Sequence, residues 1–484
     1  MACSKTMQLH FLLVPLMSQS HLIPFTDMAK LLASQGTEVT IVLTPLNAAR
    51  FNIFIDEAKA SNLKIKFHLI PFPCLQAGLP EGCENIDTLP SLEYQPRFFA
   101  ASNMLKEPLE KWLSQIETLP SCIISDICLP WTASIASKFN IPRVIFHIVS
   151  CFTLLCSHNI AISKVHESVT SMTKTFVVPD LPDRIEFTKS QLPEAMRSQD
   201  SKAWKDTIDQ FKASEVLAQG ILVNSFEELE MLYVKGYEKV VQKVWCIGPL
   251  SLHDNNNNKG SIYDDESACF NFLTSKKPCS VIYVCFGSLS RQSVSQLKEL
   301  ALGLEASNHA FIWVIGKKDF SEELEKWLAE EKYEERNKEK GVIIRGWAPQ
   351  IKILSHPSIG AFLTHCGWNS TLEAVAAGVP MITWPMFAEQ FYNEKFIVQV
   401  LNIGVRVGVE VVVLDNMDEK KVLVKKEDLK NSIDNIMEQG EEGEQRRKRA
   451  KELKEMAHKA VEESGSSTTN CNLFIQQIMG QIHI

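Results

Sequence analysis

Short β-rich runs alternate with helix-length segments along this sequence, and the whole pattern occurs twice. Strands separated by helix-length segments form right-handed βαβ units, which build parallel sheets. The first array of runs occupies residues 10–16, 38–44, 64–70, 122–126, 143–148 and 220–226, and the second occupies residues 280–288, 310–316, 341–347, 360–366, 380–386 and 404–409. The sequence therefore predicts an α/β protein with two doubly wound, Rossmann-like domains.

The length of the chain favours the same division, because 484 residues exceed the roughly 250 to 300 that one hydrophobic core usually serves. Residues 248–267 are polar, rich in Gly and Asn and without periodicity, which is typical of a linker. We therefore expect an N-terminal domain at 1–249 and a C-terminal domain at 250–484. A tail helix at about 468–484 is apolar enough to pack back on the N-terminal domain.

The composition argues against several classes of protein. The formal net charge is −8 with acidic and basic residues interspersed, so we expect no nucleic-acid partner. The apolar stretch 9–17 is too short to span a bilayer and is interrupted by Pro15, so we expect neither a membrane span nor a signal peptide. Thirteen cysteines without a Cys-x-x-Cys pair fit reduced thiols in a cytoplasmic protein. Two charge-dense stretches, 322–340 and 441–464, are interpreted as helices with a solvated face.

Polar residues follow several of the predicted strands at the point where each strand ends. In an open parallel sheet, ligands bind in the crevice beyond the carboxyl ends of the strands, so these positions are the first candidates for a site. In chain order they are His21, Asp126, Ser288, the stretch 365–370, Glu389 and Gln390. The sequence predicts that they line one cleft.

The segment 363–380 has the pattern of a strand that leads into a short helix. His365 ends the strand and Gly367 permits a tight turn. Asn369 and Ser370 are expected at the cap of a helix that runs to about Ala377. The free N–H groups and the positive dipole end of such a helix start form a seat for phosphate.

A simpler interpretation of the same helix start is a capping box. In that arrangement Ser370 caps the helix and Glu373 reaches back to the backbone, without any ligand. Capping explains these two residues but not His365 and Trp368, which precede the cap. We therefore favour the phosphate seat.

Two other kinds of nucleotide site are not supported. A dinucleotide-binding dehydrogenase would carry Gly-x-Gly-x-x-Gly after a first strand, and neither half has one. No Asp-x-Asp occurs anywhere, so the metal–diphosphate clamp of many sugar-nucleotide enzymes is missing as well. A bound diphosphate would have to be neutralised by the helix dipole and side chains, and we expect no metal.

Residues 347–390, WAPQIKILSHPSIGAFLTHCGWNSTLEAVAAGVPMITWPMFAEQ, resemble from end to end the 44-residue signature box of the plant family-1 UDP-dependent glycosyltransferases. The resemblance extends over essentially the whole chain. It implies a GT-B fold, in which two Rossmann-like domains face each other across a cleft. It also implies an inverting transferase that moves glucose from UDP-glucose, as a co-substrate, to a small lipophilic acceptor.

The resemblance also implies roles for individual residues. Trp347 would stack on the uracil and the Ala348 backbone would pair with the edge of the base. The ribose hydroxyls would be held by Gln350 and Glu373. The diphosphate would be surrounded by Ser288, His365, Asn369 and Ser370, and Gly367 would also belong to the UDP-sugar site. The sugar hydroxyls would be bound by Trp368, Glu389 and Gln390.

By the same resemblance His21 is the general base and Asp126 its partner. An imidazole with an ordinary pKa near 6.5 can take the proton of an acceptor hydroxyl, and a carboxylate on its other nitrogen fixes the tautomer. A lone His after a strand is more often structural, and Asp126 could be a turn residue at a strand end. Ser20 stands where many relatives have Gly, so the backbone of this loop could differ here.

The resemblance assigns the acceptor to the N-terminal domain. Phe146, Phe152 and Leu155 are candidates to line its pocket, although such residues near a strand end are more often core. The implied acceptor is a flat hydrophobic hydroxyl or carboxyl compound such as a triterpenoid, steroid or flavonoid. A non-catalytic protein that binds a nucleotide sugar or a hydrophobic small molecule is the competing hypothesis, and a monomer is expected.

Overall fold

A computed structural model of the protein describes residues 8–197, 202–253, 265–412 and 423–482. The strands of the N-terminal half are β1 (His10–Val14), β2 (Glu38–Leu43), β3 (Ile65–Leu69), β4 (Cys122–Asp126), β5 (Arg143–His147), β6 (Thr175–Val177), β7 (Glu186–Thr188), β8 (Ile221–Val223) and β9 (Val244–Cys246). Its helices are α1 (Gln19–Ser34), α2 (Pro45–Arg50), α3 (Asn52–Ala60), α4 (Gln95–Met104), α5 (Lys106–Leu113), α6 (Thr132–Phe139), α7 (Cys151–Ser163), α8 (Glu194–Arg197), α9 (Lys202–Val216) and α10 (Glu227–Tyr237).

The C-terminal half repeats this organisation. Its strands are β10 (Val281–Cys285), β11 (Ala310–Ile315), β12 (Gly341–Arg345), β13 (Ile359–Thr364), β14 (Met381–Thr383) and β15 (Gly404–Arg406). Its helices are α11 (Asp265–Thr274), α12 (Val294–Ser307), α13 (Glu322–Glu330), α14 (Tyr333–Asn337), α15 (Gln350–Leu354), α16 (Trp368–Ala377), α17 (Gln390–Lys395), α18 (Lys426–Met437), α19 (Glu441–Ala460) and α20 (Ser466–Ile482).

The strands form two parallel sheets, one in each half. The first has the order β3-β2-β1-β4-β5-β8-β9 and the second β12-β11-β10-β13-β14-β15. The order reverses between β1 and β4 in the first sheet and between β10 and β13 in the second, and ligands of doubly wound folds bind at such reversal points. The α/β class with two Rossmann-like domains is therefore confirmed.

All the predicted β-rich runs contain a strand, but the sequence analysis missed three short ones. These are β9, at the edge of the first sheet, and β6 and β7, which pair with each other as an antiparallel hairpin. The predicted linker 248–267 falls partly on residues 254–264, which lie outside the described residues.

The charge-dense stretches are helical, as expected. Residues 322–340 form two helices, α13 and α14, because Lys332 between them adopts a left-handed conformation with φ 47°. Residues 441–464 contain α19. Within the described ranges, no helix combines the length and the apolar character needed to cross a membrane.

The core of the N-terminal domain includes residues from α20. The ring of Phe474 lies 5.5 Å from that of Phe11 in β1 and 5.4 Å from that of Trp245 in β9. Cys471 and Ile478 are buried in the same cluster. The C-terminal tail therefore covers the first sheet.

A second apolar cluster joins the two halves directly. Phe152, at the start of α7, packs on Phe396 with ring centroids 4.9 Å apart, and Phe187 in β7 packs on Tyr392 in α17 at 4.8 Å. All four rings are fully buried. This contact places the carboxyl ends of the two sheets opposite each other.

Candidate active site

His21 and Asp126 meet at the reversal point of the first sheet. β1 and β4 are neighbours in the sheet, so the turn into α1 that follows β1 lies beside the end of β4. His21 is in the first turn of α1, and its Nδ1 lies 2.6 Å from Oδ2 of Asp126. The His21 side chain is 18% exposed, whereas that of Asp126 is 1% exposed. The predicted pair therefore exists as a buried carboxylate behind a solvent-accessible imidazole.

Three donors stabilise the ionised form of Asp126. Burial alone would raise its pKa, but His21 and the backbone N–H groups of Cys128 and Leu16 lower it below its ordinary value. A carboxylate has no proton to give, so Nδ1 of the neutral imidazole must donate this hydrogen bond. The other ring nitrogen, Nε2, is then left with a free lone pair.

The structure explains why a serine can stand at position 20, where many relatives have glycine. It lies inside α1 with negative φ, so its backbone needs no glycine. Its hydroxyl lies 3.1 Å from that of the buried Ser18. A serine therefore fits this position of α1 without backbone strain.

The second reversal point carries the turn from β13 into α16. The helix begins at Trp368 with Gly367 as its N-cap, and glycine has no side chain that could cap it. The prediction that Asn369 and Ser370 form the cap was wrong, because both lie within the first helical turn. Gly367 therefore leaves the first-turn N–H groups without an N-cap side chain, as a phosphate seat requires, while the N–H of Trp368 interacts with the side chain of Glu389.

Glycines enclose the imidazole of His365 on two sides. A Cβ atom on Gly287 would lie 2.7 Å from Cε1 of His365, and one on Gly367 would lie 2.4 Å from Nε2. Burial lowers the pKa of His365 to about 4, so the ring is neutral. Its buried Nδ1 has no hydrogen-bond partner among the described residues. Ser288 lies partly exposed in the same loop as Gly287.

Three further predicted residues form one hydrogen-bonded group beside α16. Nε2 of Gln350 donates to Oε2 of Glu373 at 2.7 Å and to Oγ of Ser370 at 3.0 Å. Glu373 thus accepts a hydrogen bond from the side chain of Gln350. In the capping-box interpretation Glu373 would instead reach back to the backbone.

Trp347 and Ala348 lie just before α15, which begins with Gln350. The Trp347 side chain is 53% exposed, unusually open for an indole, while Ala348 is buried. The exposed ring provides a flat face on which a planar base could stack.

Asn369 connects the two reversal points. Its Nδ2 donates to the backbone oxygen of Ser20 at 2.7 Å, across the cleft between the halves. Its Oδ1 is buried and lacks a partner within the described part of the chain. The tip of α16 therefore lies directly against the tip of α1 that carries His21.

The three candidate sugar-binding residues also lie at this cleft. The indole N–H of Trp368 already donates to the Asn224 backbone oxygen at 2.7 Å. Burial raises the pKa of Glu389, against the opposing effects of its own backbone N–H, of His21 and of the Trp368 backbone N–H. Oε1 of Gln390 accepts from the N–H groups of Met386 and Phe387 at 2.8 and 3.1 Å. The Gln390 amide is thereby oriented, with its NH₂ group left as a donor.

The three candidates for the acceptor pocket are all buried in apolar cores. Phe146 packs edge-on against Phe25 at 5.0 Å, and Phe152 is in the cluster between the halves. Leu155 packs against Gly236, where an added Cβ would lie 2.6 Å from its Cδ2. Packing accounts for all three, and a lining role stays a prediction.

Several residues at the cleft were missed by the sequence analysis. Asn224 follows β8 at the carboxyl edge of the first sheet, and the rule used for the other candidates would have found it. Asp319, beyond β11, is buried with a pKa raised to about 7 because of its burial. Thr153 and Asn393 lie inside helices, where no strand end signals them.

Comparisons with known proteins agree with this geometry. The family model described as UDP-glucoronosyl and UDP-glucosyl transferase matches residues 10–442. UDP-glycosyltransferase 73C3 of Arabidopsis thaliana is 48% identical, and the match covers 99% of each chain. The structure of UGT73P12 from Glycyrrhiza uralensis matches with a TM-score of 0.91 and 37% identity, covering 98% of this chain and 96% of that one.

A second solved structure, UGT2 of Phytolacca americana, matches with a TM-score of 0.76 and 26% identity, covering 97% of this chain and 99% of that one. The family model, the sequence relatives and the solved structures all indicate the same protein family. The chain belongs to the UDP-glucoronosyl and UDP-glucosyl transferase family and has the GT-B fold of the plant UDP-glycosyltransferases.

Proposed function

We propose that this chain is an inverting transferase that moves glucose from UDP-glucose to a hydroxyl or carboxyl group of a small lipophilic acceptor. His21 is the general base and Asp126 its partner. The observation that supports this most is the contact between two helix tips: one carries the His21–Asp126 pair, and the other starts at a glycine N-cap, whose first-turn N–H groups can meet a diphosphate.

The reaction follows from this placement. Nε2 of His21 takes the proton of the acceptor hydroxyl as its oxygen attacks the anomeric carbon of the donor. The bond between that carbon and the UDP oxygen breaks on the opposite face, so the configuration inverts. Asp126 stabilises the imidazolium that forms. The negative charge of the departing UDP is met by the first-turn N–H groups of α16.

The donor end of the cleft suits a UDP-sugar. The exposed Trp347 ring would stack on uracil, and Gln350 and Glu373 would hold the ribose. His365 is neutral and would act as a hydrogen-bonding group rather than as a cation. We propose that Gln390, with its amide oriented by Met386 and Phe387, selects glucose, and that no metal takes part.

The acceptor is proposed to be a triterpenoid, steroid or flavonoid. UGT73P12 of Glycyrrhiza uralensis was solved with glycyrrhetinic acid 3-O-monoglucuronide, and UGT2 of Phytolacca americana with UDP-2fluoro-glucose and pterostilbene. These ligands support a small organic acceptor in the cleft. We also propose a cytoplasmic monomer, a location that the free cysteines among the described residues support.

A panel of acceptors tests this proposal. The protein is incubated with UDP-glucose and with glycyrrhetinic acid, its 3-O-monoglucuronide, pterostilbene, quercetin and a steroid, and each mixture is analysed by mass spectrometry. The expected result is a mass gain of one hexose on at least one acceptor, with the anomeric configuration inverted by NMR. Tight UDP binding without turnover on a broad panel would favour the competing non-catalytic binder.

A further inference from the structure

The turn that leads into α16 is held from the N-terminal half on two sides. We call Cys366, Gly367 and Trp368 the donor turn. On one side, the Trp368 indole N–H donates to the backbone oxygen of Asn224, which follows β8 in the N-terminal sheet. Trp368 is buried, so this hydrogen bond is shielded from water.

The second connection runs through two side chains. Oγ1 of Thr153, in α7, donates to Oδ1 of Asn393 in α17 at 3.2 Å. Nδ2 of Asn393 then donates to the backbone oxygen of Cys366 at 2.8 Å. Asn393 is fully buried and Thr153 is 5% exposed. Cys366 and Trp368 are thus each held by a hydrogen bond, one on either side of Gly367.

Both connections start from parts of the N-terminal domain that are themselves held by hydrogen bonds. The first two N–H groups of α7, those of Cys151 and Phe152, donate to the buried carboxylate of Glu230 at 3.0 and 2.8 Å. Asn224 donates its own N–H to the His147 backbone oxygen at 3.0 Å, in line with the sheet. The donor turn is therefore tied to the N-terminal sheet and to the first turn of α7.

We propose that Thr153 and Asn393, together with the Asn224 carbonyl, are positioning residues for the sugar donor. None of them needs to touch the donor. They act through the donor turn, whose backbone starts α16 and so directs the first-turn N–H groups. The nucleotide site in the C-terminal domain is accordingly complete only while the N-terminal domain is docked against it. This inference rests on the proposed place of the diphosphate at the tip of α16.

The physical reason is the cost of an unpaired buried polar group. If the Thr153 hydroxyl is removed, Oδ1 of Asn393 is left without a donor in the docked arrangement and regains water only when the halves separate. Docking becomes less favourable, and donor binding that depends on docking weakens with it.

Thr153→Val tests this directly, because valine keeps the shape of the side chain and removes only the hydroxyl. We expect UDP to bind roughly fivefold to thirtyfold more weakly by isothermal titration calorimetry, and the KM for UDP-glucose to rise while the KM for the acceptor changes little. Thr153→Ser retains the hydroxyl and should restore the affinity for UDP.

Thr37→Val is the matched control. Thr37 is also 5% exposed, but its hydroxyl donates to Leu32 within the N-terminal domain at 2.8 Å. This variant should lose thermal stability without losing affinity for UDP. If Thr153→Val binds UDP as tightly as the wild type, or if Thr37→Val weakens it equally, the inference is wrong.

The other connection provides a second test, which decides the matter if Thr153→Val does not fold. Trp368→Phe removes the indole N–H, and Trp245→Phe is its control, since the buried indole nitrogen of Trp245 has no partner among the described residues. Only Trp368→Phe should weaken UDP binding, and equal affinities would overturn the inference. A wild-type protein that does not bind UDP would instead contradict the proposed function itself.

Discussion

The side-chain nitrogen of Asn369 lies 2.7 Å from the backbone oxygen of Ser20, so one hydrogen bond joins the first turns of α16 and α1 across the cleft. Each helix tip carries part of the proposed chemistry, with His21 on one and the phosphate seat on the other. The distance between the proposed base and the proposed donor site would therefore be set by a direct contact between the two halves.

The first prediction concerns the base. His21→Ala should lower kcat by roughly 10² to 10⁴, because the imidazole proposed to take the acceptor proton is lost. Affinity for UDP should change little, since the imidazole faces the acceptor. Turnover by steady-state kinetics and UDP binding by calorimetry check both parts, and a variant with normal turnover would exclude His21 as the base.

Asp126→Asn should also lower kcat, because an amide can accept from Nδ1 but cannot stabilise the imidazolium. The matched control is Glu215→Gln. Glu215 forms a second His–carboxylate pair in the same domain, with its Oε1 2.6 Å from Nε2 of His147. Equal losses of kcat in the two variants would show that Asp126 acts through general stability and not through His21.

The second prediction concerns the base-stacking face. Trp347→Ala should weaken UDP binding roughly 5- to 150-fold, as expected for the loss of aromatic stacking on a base. Its melting temperature should be nearly unchanged, because Trp347 is 53% exposed. Phe320→Ala removes another aromatic ring that is 53% exposed and should leave UDP affinity unaltered. Equal affinities in the two variants would remove Trp347 from the donor site.

The third prediction concerns sugar selection. Gln390→Glu keeps an oxygen for the N–H groups of Met386 and Phe387 but lacks the NH₂ donor. We expect kcat/KM for UDP-glucose to fall roughly tenfold, because one hydrogen bond to the sugar is lost. Rates with UDP-glucose and UDP-galactose are measured for both forms. An unchanged preference between the two donors would argue against selection by Gln390.

The fourth prediction concerns pH and stability. The pKa of the buried Asp319 is raised to about 7, from an ordinary value of 3.8. Between these values the folded protein holds a proton that the unfolded chain has lost, so wild-type stability falls as pH rises through this range. Asp319→Asn cannot ionise, and its stability relative to wild type should rise by about 1.4 kcal/mol for each unit of the pKa difference, reaching a plateau above pH ~7.

Urea unfolding at several pH values between 4 and 8 measures this effect. A stability difference between Asp319→Asn and the wild type that does not change over this range would contradict the raised pKa of Asp319.

The fifth prediction concerns metal ions. The charge of the diphosphate is proposed to be met by the first turn of α16 and by neutral side chains, so chelation with EDTA should leave kcat and KM unchanged. Assays with and without added Mg²⁺ check this. A strict requirement for Mg²⁺ would contradict the proposed handling of the leaving group.

The strand pattern could be predicted from the sequence because buried parallel strands are continuous apolar runs bounded by polar turns. This periodicity also places residues at the carboxyl ends of strands, which is how His21, Asp126 and His365 were found. The strands β6, β7 and β9 were missed although they are no shorter than β8, β14 and β15, which also have three residues each and were predicted, so length alone does not explain the difference.

The start of α16 was placed two residues late. Asn and Ser are favoured at the N-cap, so local preference pointed to Asn369 and Ser370. In the structure the Asn369 side chain is used by Ser20 of the other domain, and Ser370 accepts from Gln350. Contacts of this kind join residues far apart in sequence, and no local pattern indicates them.

The position of α20 has a consequence for the order in which the protein can reach its native state. Phe474 fills a gap between Phe11 and Trp245, so the first sheet lacks part of its cover until α20 has been synthesised. During translation, this apolar surface of the N-terminal half therefore stays uncovered until α20 has emerged from the ribosome. A premature stop codon before α20 would damage the half of the enzyme that is translated first.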